Sequence, residues 1–178
     1  GTEQFAFAPA GGTLSNNDRT LTIPLASITG SLIVNLAGGD DVLTVDFSGG
    51  NPTPTGGLSF DGGSGGHDTL LLSGGAFHTI TFTYLNAHDG SVALDPDGLG
   101  GTAASVISYT GLEPVTSSIA SDVVELVYTG DAEVITVTDA TGGRTTAAST
   151  LGETTTFDNP SQRLEIVAAS GRDVINVN

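Results

Sequence analysis

The sequence predicts an all-β fold, a right-handed parallel β-helix or β-solenoid, and three observations carry the prediction. Apolar stretches are short and follow the two-residue alternation of strands, glycine and aspartate punctuate them, and part of the pattern recurs at long range. Tandem β-sandwich modules with shared or donated strands are the alternative architecture.

The strands come first. SLIVNL (31–36), VLTVDF (42–47), TITFTY (79–84), VVELVY (123–128), VITVT (134–138) and LEIV (164–167) are rich in β-branched and aromatic residues and are bounded by Gly, Asp, Asn or Pro. No stretch carries the 3.6-residue apolar period, and 26 glycines would weaken any helix.

Repetition comes next. SLIVNLAGGDDVLTVD (31–46) overlies RLEIVAASGRDVINVN (163–178) without a gap, at an offset of 132. Leu32 falls on Leu164, Val34 on Ile166, Gly39 on Gly171, Asp41 on Asp173, Val42 on Val174, Leu43 on Ile175 and Val45 on Val177. FAFAPAGG (5–12) lies over TVTDATGG (136–143) at an offset of 131. The expected organisation is one long β-repeat over 1–132, with 133–178 the opening part of the next and continuous with it. A shorter motif, small-x-acid-x-apolar-x-apolar, recurs as GDDVLTV (39–45), GHDTLLL (66–72), ASDVVEL (120–126), DAEVITV (131–137) and GRDVINV (171–177). It reads as a tight turn feeding a strand, and such units bury a core only by stacking.

Composition then removes function classes. The chain of 178 residues has 20 Asp+Glu against 4 Lys+Arg, all four arginine, for a net charge of -16. No basic face is available for nucleic acid or an anionic membrane. Cysteine is absent, which removes disulfides, thiolate metal sites and cysteine nucleophiles. No run of 18 apolar residues predicts membrane insertion. The acidic, lysine-free, Thr/Ser/Gly-rich composition suits an exported surface protein, and the abrupt Gly-Thr-Glu-Gln start reads as a segment of a longer protein.

Candidate site residues are the turn aspartates. GSGGHDTLL (63–71) resembles the calcium-binding nonapeptide repeat of RTX proteins, G-G-x-G-x-D-x-U-x, with Gly63, Gly66, Asp68 and Leu70 in place. The turns around Asp41 and Asp173 match its later half. That resemblance implies Ca2+ at the corners, although the motifs are not consecutive nonapeptides. More broadly, GGDDVLTVDFSGGNP, GGLSFDGGSGGHDTLLLSGG and YTGLEP resemble the repeat regions of very large cell-surface proteins of planctomycetes and related aquatic bacteria. This implies an extracellular structural or adhesive role.

Asp95-Pro96-Asp97-Gly98 adds a further oxygen cluster, similar to the start of an EF-hand loop but without its bidentate Glu. Asp41, Asp68, Asp95, Asp97 and Asp173 are therefore the candidate metal ligands. The competing reading is simpler: each aspartate accepts backbone N–H bonds two residues on while glycine supplies positive φ.

No catalytic residues are assigned. Asp40-Asp41 and Gly66-His67 superficially match the polygalacturonase pattern, but the Asp pair becomes Arg172-Asp173 in the second copy, and no Lys or Trp is present to bind an acidic or stacked sugar. His67, His78 and His88 lack metal-ligand spacing. The Thr-x-Thr pairs at Thr136 and Thr138 fall on Phe5 and Phe7, so no threonine ladder is preserved between copies.

The expected function is a non-enzymatic extracellular structural or adhesive repeat segment of a large surface or filament-forming protein, with Ca2+ a candidate stiffener of its corners second to turn capping. Its partners would be neighbouring repeats of the same chain and homo-assembly into a filament or sheath. A glycan-binding module and a β-helix polysaccharide-degrading enzyme are the alternatives.

Overall fold

The computed structural model describes residues 11–17, 20–99 and 105–178. Its described residues are strands and turns, with a single 3-10 turn at Leu25–Ser27 and no α-helix. The all-β expectation holds at that level, and the strands form one large sheet of mixed parallel and antiparallel pairing. The small hairpin of β1 (Thr13–Ser15) and β2 (Thr20–Thr22) is separate, each of its strands pairing only with the other.

Parallel pairing dominates because the chain repeatedly makes the same move: a strand, a Gly/acid corner, and a second strand. The first such unit is β3 (Leu32–Asn35) and β4 (Val42–Asp46), and the second is β5 (Leu58–Asp61) and the first half of β6 (Thr69–Tyr84). Unit lies on unit, with Val34 in register with Phe60 and Val45 with Leu72. The next unit is β8 (Ser105–Thr110) with the start of β9 (Val115–Tyr128), and Tyr109 continues the line of Phe60. Farther along, the end of β9 with β10 (Val134–Ala140) is followed by β13 (Arg163–Ala168) with β14 (Val174–Val177) in the same parallel sense.

The two stretches matched at an offset of 132 both fold as this strand, corner and strand, β3–β4 in one case and β13–β14 in the other. The alignment of 5–12 with 136–143 falls mostly on residues outside those described.

Two antiparallel excursions interrupt the series. β7 (Gly90–Asp95) runs back between β6 and β8, and β11 (Arg144–Ser149) runs back between β10 and β12 (Thr155–Asp158). Neither excursion is marked by the repeat. Each is a strand of modest hydrophobicity held by neighbours on both sides, so tertiary pairing rather than local propensity fixes it.

The core is built from alternation. In β6 the residues Leu70, Leu72, Ile80, Phe82 and Tyr84 are buried while their neighbours are half-buried, as a pleated strand with one face inward requires. A bulge at Gly74-Gly75 shifts the register against β9 between the two halves of the strand. Alike residues lie in line from strand to strand: Leu126 between Phe82 on one side and Ile166 on the other, and Tyr84 stacked on Tyr128 with ring centroids 4.6 Å apart.

The corners impose the tightest constraint. A Cβ on Gly66 would lie 1.8 Å from the carbonyl oxygen of Gly39, and Gly66 has φ +95°. Only glycine permits both the backbone conformation and the contact. Gly66→Ala is expected to destabilise the fold by at least about 2 kcal/mol, a drop of roughly 4–8 °C in Tm for a domain of this size. Gly49→Ala, where a Cβ meets nothing within 4 Å and φ is not positive, is the matched control expected to leave Tm unchanged in thermal denaturation.

Candidate functional site

The corners are where the acid positions of the repeated motif collect. Asp41, Asp68, Glu133 and Asp173 each stand immediately before a strand, at β4, β6, β10 and β14, whereas Asp122 lies within β9. Asp68 is 2% exposed, and its Oδ1 accepts the backbone N–H of Asp41 at 2.9 Å. Asp173 Oδ1 accepts the N–H of Glu133 at 3.1 Å. In both, the acceptor belongs to one unit and the donor to the unit before it.

The sequence-level expectation of a cap two residues along therefore needs correction for Asp68 and Asp173. Their carboxylates reach across to the preceding corner because the stacked backbones, held close by glycine, leave that N–H pointing at the next unit. Asp40 makes a related bond in the opposite direction, its Oδ1 accepting the N–H of His67 at 3.0 Å. Asp41 differs: its Oδ2 is buried with no hydrogen-bond partner.

Asp95 and Asp97 lie apart from the corners, in the turn after β7. Asp95 Oδ1 accepts N–H bonds from Asp97 at 3.1 Å and Gly98 at 3.2 Å, and Asp97 Oδ1 accepts that of Leu99 at 3.1 Å. These are the within-turn caps the sequence suggested. The Asp97 N–H is the main cause holding the Asp95 carboxyl below its ordinary range. Of the five candidate ligands, then, the fold joins Asp41 and Asp68 at adjacent corners and leaves Asp173 and the Asp95–Asp97 turn elsewhere. Among the described residues, no group of three or more His, Asp or Glu is arranged to hold a metal ion.

A second polar site was not visible in the sequence. His67 from the corner before β6, His88 from the β6–β7 turn, Glu113 from the corner before β9 and Glu153 from the β11–β12 loop line one open cleft of about 330 Å³. Nδ1 of His67 is 3.3 Å from Oε2 of Glu113, and Nδ1 of His88 is 3.1 Å from Oε1. Behind them, Glu153 is 3% exposed. One of its oxygens accepts the Thr154 N–H at 2.8 Å, and the other is buried without a partner.

Burial pushes the Glu153 carboxyl up to about 7, opposed by the Thr154 N–H and then raised further by Glu113. The phenols of Tyr84, Tyr109 and Tyr128 behind this cleft are likewise raised, foremost by burial. A carboxylic acid with that proton affinity suits a general acid, and Glu153 lines the cleft with its Oε2 buried and without a hydrogen-bond partner.

Compared with family models, with curated proteins and with solved structures, the chain matches none.

Glu153 links stability to pH in a definite direction. Its folded carboxyl holds a proton to higher pH than the unfolded one, so its contribution is fully present below about 4.5 and is lost as pH rises toward about 7. Glu153→Gln keeps the neutral shape. Relative to the unmodified chain, this variant should gain several degrees in Tm at pH 8 and nothing at pH 4, read by calorimetry across that range; equal gains at both pH values would refute the assignment.

Proposed function

We propose that this chain is a non-enzymatic, extracellular structural or adhesive repeat segment of a large surface or filament-forming protein, built as a right-handed parallel β-helix. The observation that carries this reading is the parallel stacking of one strand–corner–strand unit on the next, with apolar residues in line and the corners tied by carboxylate-to-backbone bonds. Such an arrangement resists extension through many short, repeated contacts and extends by adding units.

Two further observations favour it over the alternatives. Tyr84, Tyr109 and Tyr128 are all buried, so none is presented to stack on a sugar ring. Asp40, which with Asp41 and His67 gave the sequence its passing likeness to a pectin-degrading site, has an oxygen committed to the His67 backbone. A net charge of -16 keeps such a surface soluble and repels anionic partners.

This reading does not require calcium at the corners. The corner carboxylates of Asp68 and Asp173 already satisfy backbone N–H groups, and the buried Oδ2 of Asp41 is the corner oxygen left over. Millimolar calcium is expected to raise Tm no more than magnesium does. Asp68→Ala is expected to lower Tm by several degrees with either ion, since it leaves the Asp41 N–H without its acceptor. A calcium-specific rise that disappears in Asp41→Ala would instead assign the ion to that oxygen.

The cellular part of the reading is tested by labelling intact cells of the producing organism with antibody raised against the chain. Surface labelling without permeabilisation is the expected result, and labelling confined to permeabilised cells would overturn the proposal.

A further inference from the structure

The loop between β11 and β12 is tied to neighbouring strands at its two ends. The Thr150 N–H donates to the carbonyl of Val134 at 3.2 Å, and the carbonyl of Thr154 accepts the Val115 N–H at 3.1 Å. Between those bonds the Leu151 N–H turns back to Ser149 Oγ, and the rest of the loop is held by packing. Gly152 rests on the stacked rings of Tyr84 and Tyr128, where a Cβ would lie 3.0 Å from a ring carbon of Tyr128 and 3.3 Å from the Cβ of Tyr84. Glu153 comes next and is buried, one carboxyl oxygen on the Thr154 N–H and the other without a partner. The segment that covers the tyrosine stack thus carries a buried ionisable group.

The groups packed around Glu153 leave its negative charge poorly supported. Glu113, of like sign, stands in front of it from the corner before β9, with His67 on the far side of that carboxylate and His88 reaching in from the β6–β7 turn. Behind it are the phenols of Tyr84 in β6 and Tyr109 in β8, with Tyr128 of β9 beside Tyr84. Two more acids lie beyond these rings, Asp89 near Tyr109 and Glu133 near Tyr128. Among these groups His88 favours the Glu153 charge, and more weakly than Glu113 opposes it. A carboxylate with an unpartnered oxygen is costly in such an interior and is relieved by moving to water. The open cleft of about 330 Å³, which Gly152, Glu153 and Thr154 all line, is the way out.

We propose that Leu151–Thr154 is a pH-operated lid: loss of the Glu153 proton to water turns the loop outward into the cleft and uncovers the Tyr84–Tyr128 stack, and regaining that proton closes it. The device goes beyond the structural reading above and does not rest on it. Its direction follows from burial. The closed loop holds the carboxyl up to about 7, against 4.5 for the free group, so protons favour the closed form. The opening equilibrium rises about tenfold per pH unit above about 4.5 and levels off above about 7, a total of about 300-fold. The strands on either side keep their pairing, since the ties at Thr150 and Thr154 lie outside the part that moves.

Thiol labelling reads the lid, since the chain has no cysteine of its own. Thr155 and Ser117 are both fully buried, and each is close to cysteine in size. Thr155 follows the loop and lies beside Tyr84, whereas Ser117 sits in β9 between Leu72 and Phe157. Labelling of the Thr155→Cys and Ser117→Cys chains is followed from pH 5 to pH 8 and divided by that of an unstructured thiol peptide, which removes the titration of the thiol itself. Thr155→Cys is expected to label at least about tenfold faster than Ser117→Cys at pH 8, because the lid opens without unfolding the sheet. Its rate should climb up to about pH 7 and then level off, and adding Glu153→Gln should hold it at the pH 5 value throughout. Equal rates at the two positions, or a climb that persists with Glu153→Gln, would overturn the lid. A second measurement needs no cysteine: tetranitromethane at pH 8 should nitrate Tyr84 and Tyr128 faster in the unmodified chain than in Glu153→Gln, and equal nitration would overturn the proposal as well.

Discussion

The close approach of backbones at the corners is the constraint on which the rest of the structure depends. At Gly66 the chain runs so near the corner of the previous unit that no side chain fits, and within the same corner Asp68 takes the N–H that this approach leaves pointing outward. Move the two backbones apart and the bond is lost; fill the gap with a Cβ and the strands on either side lose their register. The alignment of Val45 with Leu72, and with it the buried apolar line, follows from the corner rather than producing it. Gly171 and Asp173 repeat the arrangement more than a hundred residues later, which is why the same few residue types recur there.

Much of this was legible in the sequence, and the reasons for the exceptions are physical. VLTVDF and VVELVY read as strands because alternation and β-branching are local properties, and the acid before each strand read as a turn residue because glycine accompanied it. The acceptor role of Asp68 was not legible, since its donor lies 27 residues away in another unit. β11 escaped detection because Arg-Thr-Thr-Ala-Ala-Ser has only Ala147 buried and takes its strand form from β10 and β12 on either side. His67, His88, Glu113 and Glu153 come from four separate loops, and no spacing rule connects them.

The cleft formed by those four residues shows what stacking does to ionisable groups. Turns from successive units converge on one side, so acids and histidines that are ordinary in their own loops become neighbours. Glu113 faces both imidazoles, and the carboxyl of Glu153, buried behind it beside the tyrosines, is pushed up to about 7 by that burial. In a chain with 20 acidic and 4 basic residues, buried acids are accommodated by backbone N–H donors, as at Asp68, or by a raised proton affinity, as at Glu153.

The antiparallel excursions through β7 and β11 have a consequence for how such a chain can change over time. Each leaves the series after one strand and returns before the next corner, so its length does not enter the alignment of the units around it. The spacing between paired positions is 27 residues from Val42 to Thr69, 45 from Leu70 to Val115 and 40 from Val134 to Val174, yet the pairing is parallel in all three. Insertions and deletions confined to these loops are therefore absorbed locally. The corners act as punctuation and the excursions as clauses of free length, which allows a repeat to diversify its flank while its axis stays the same.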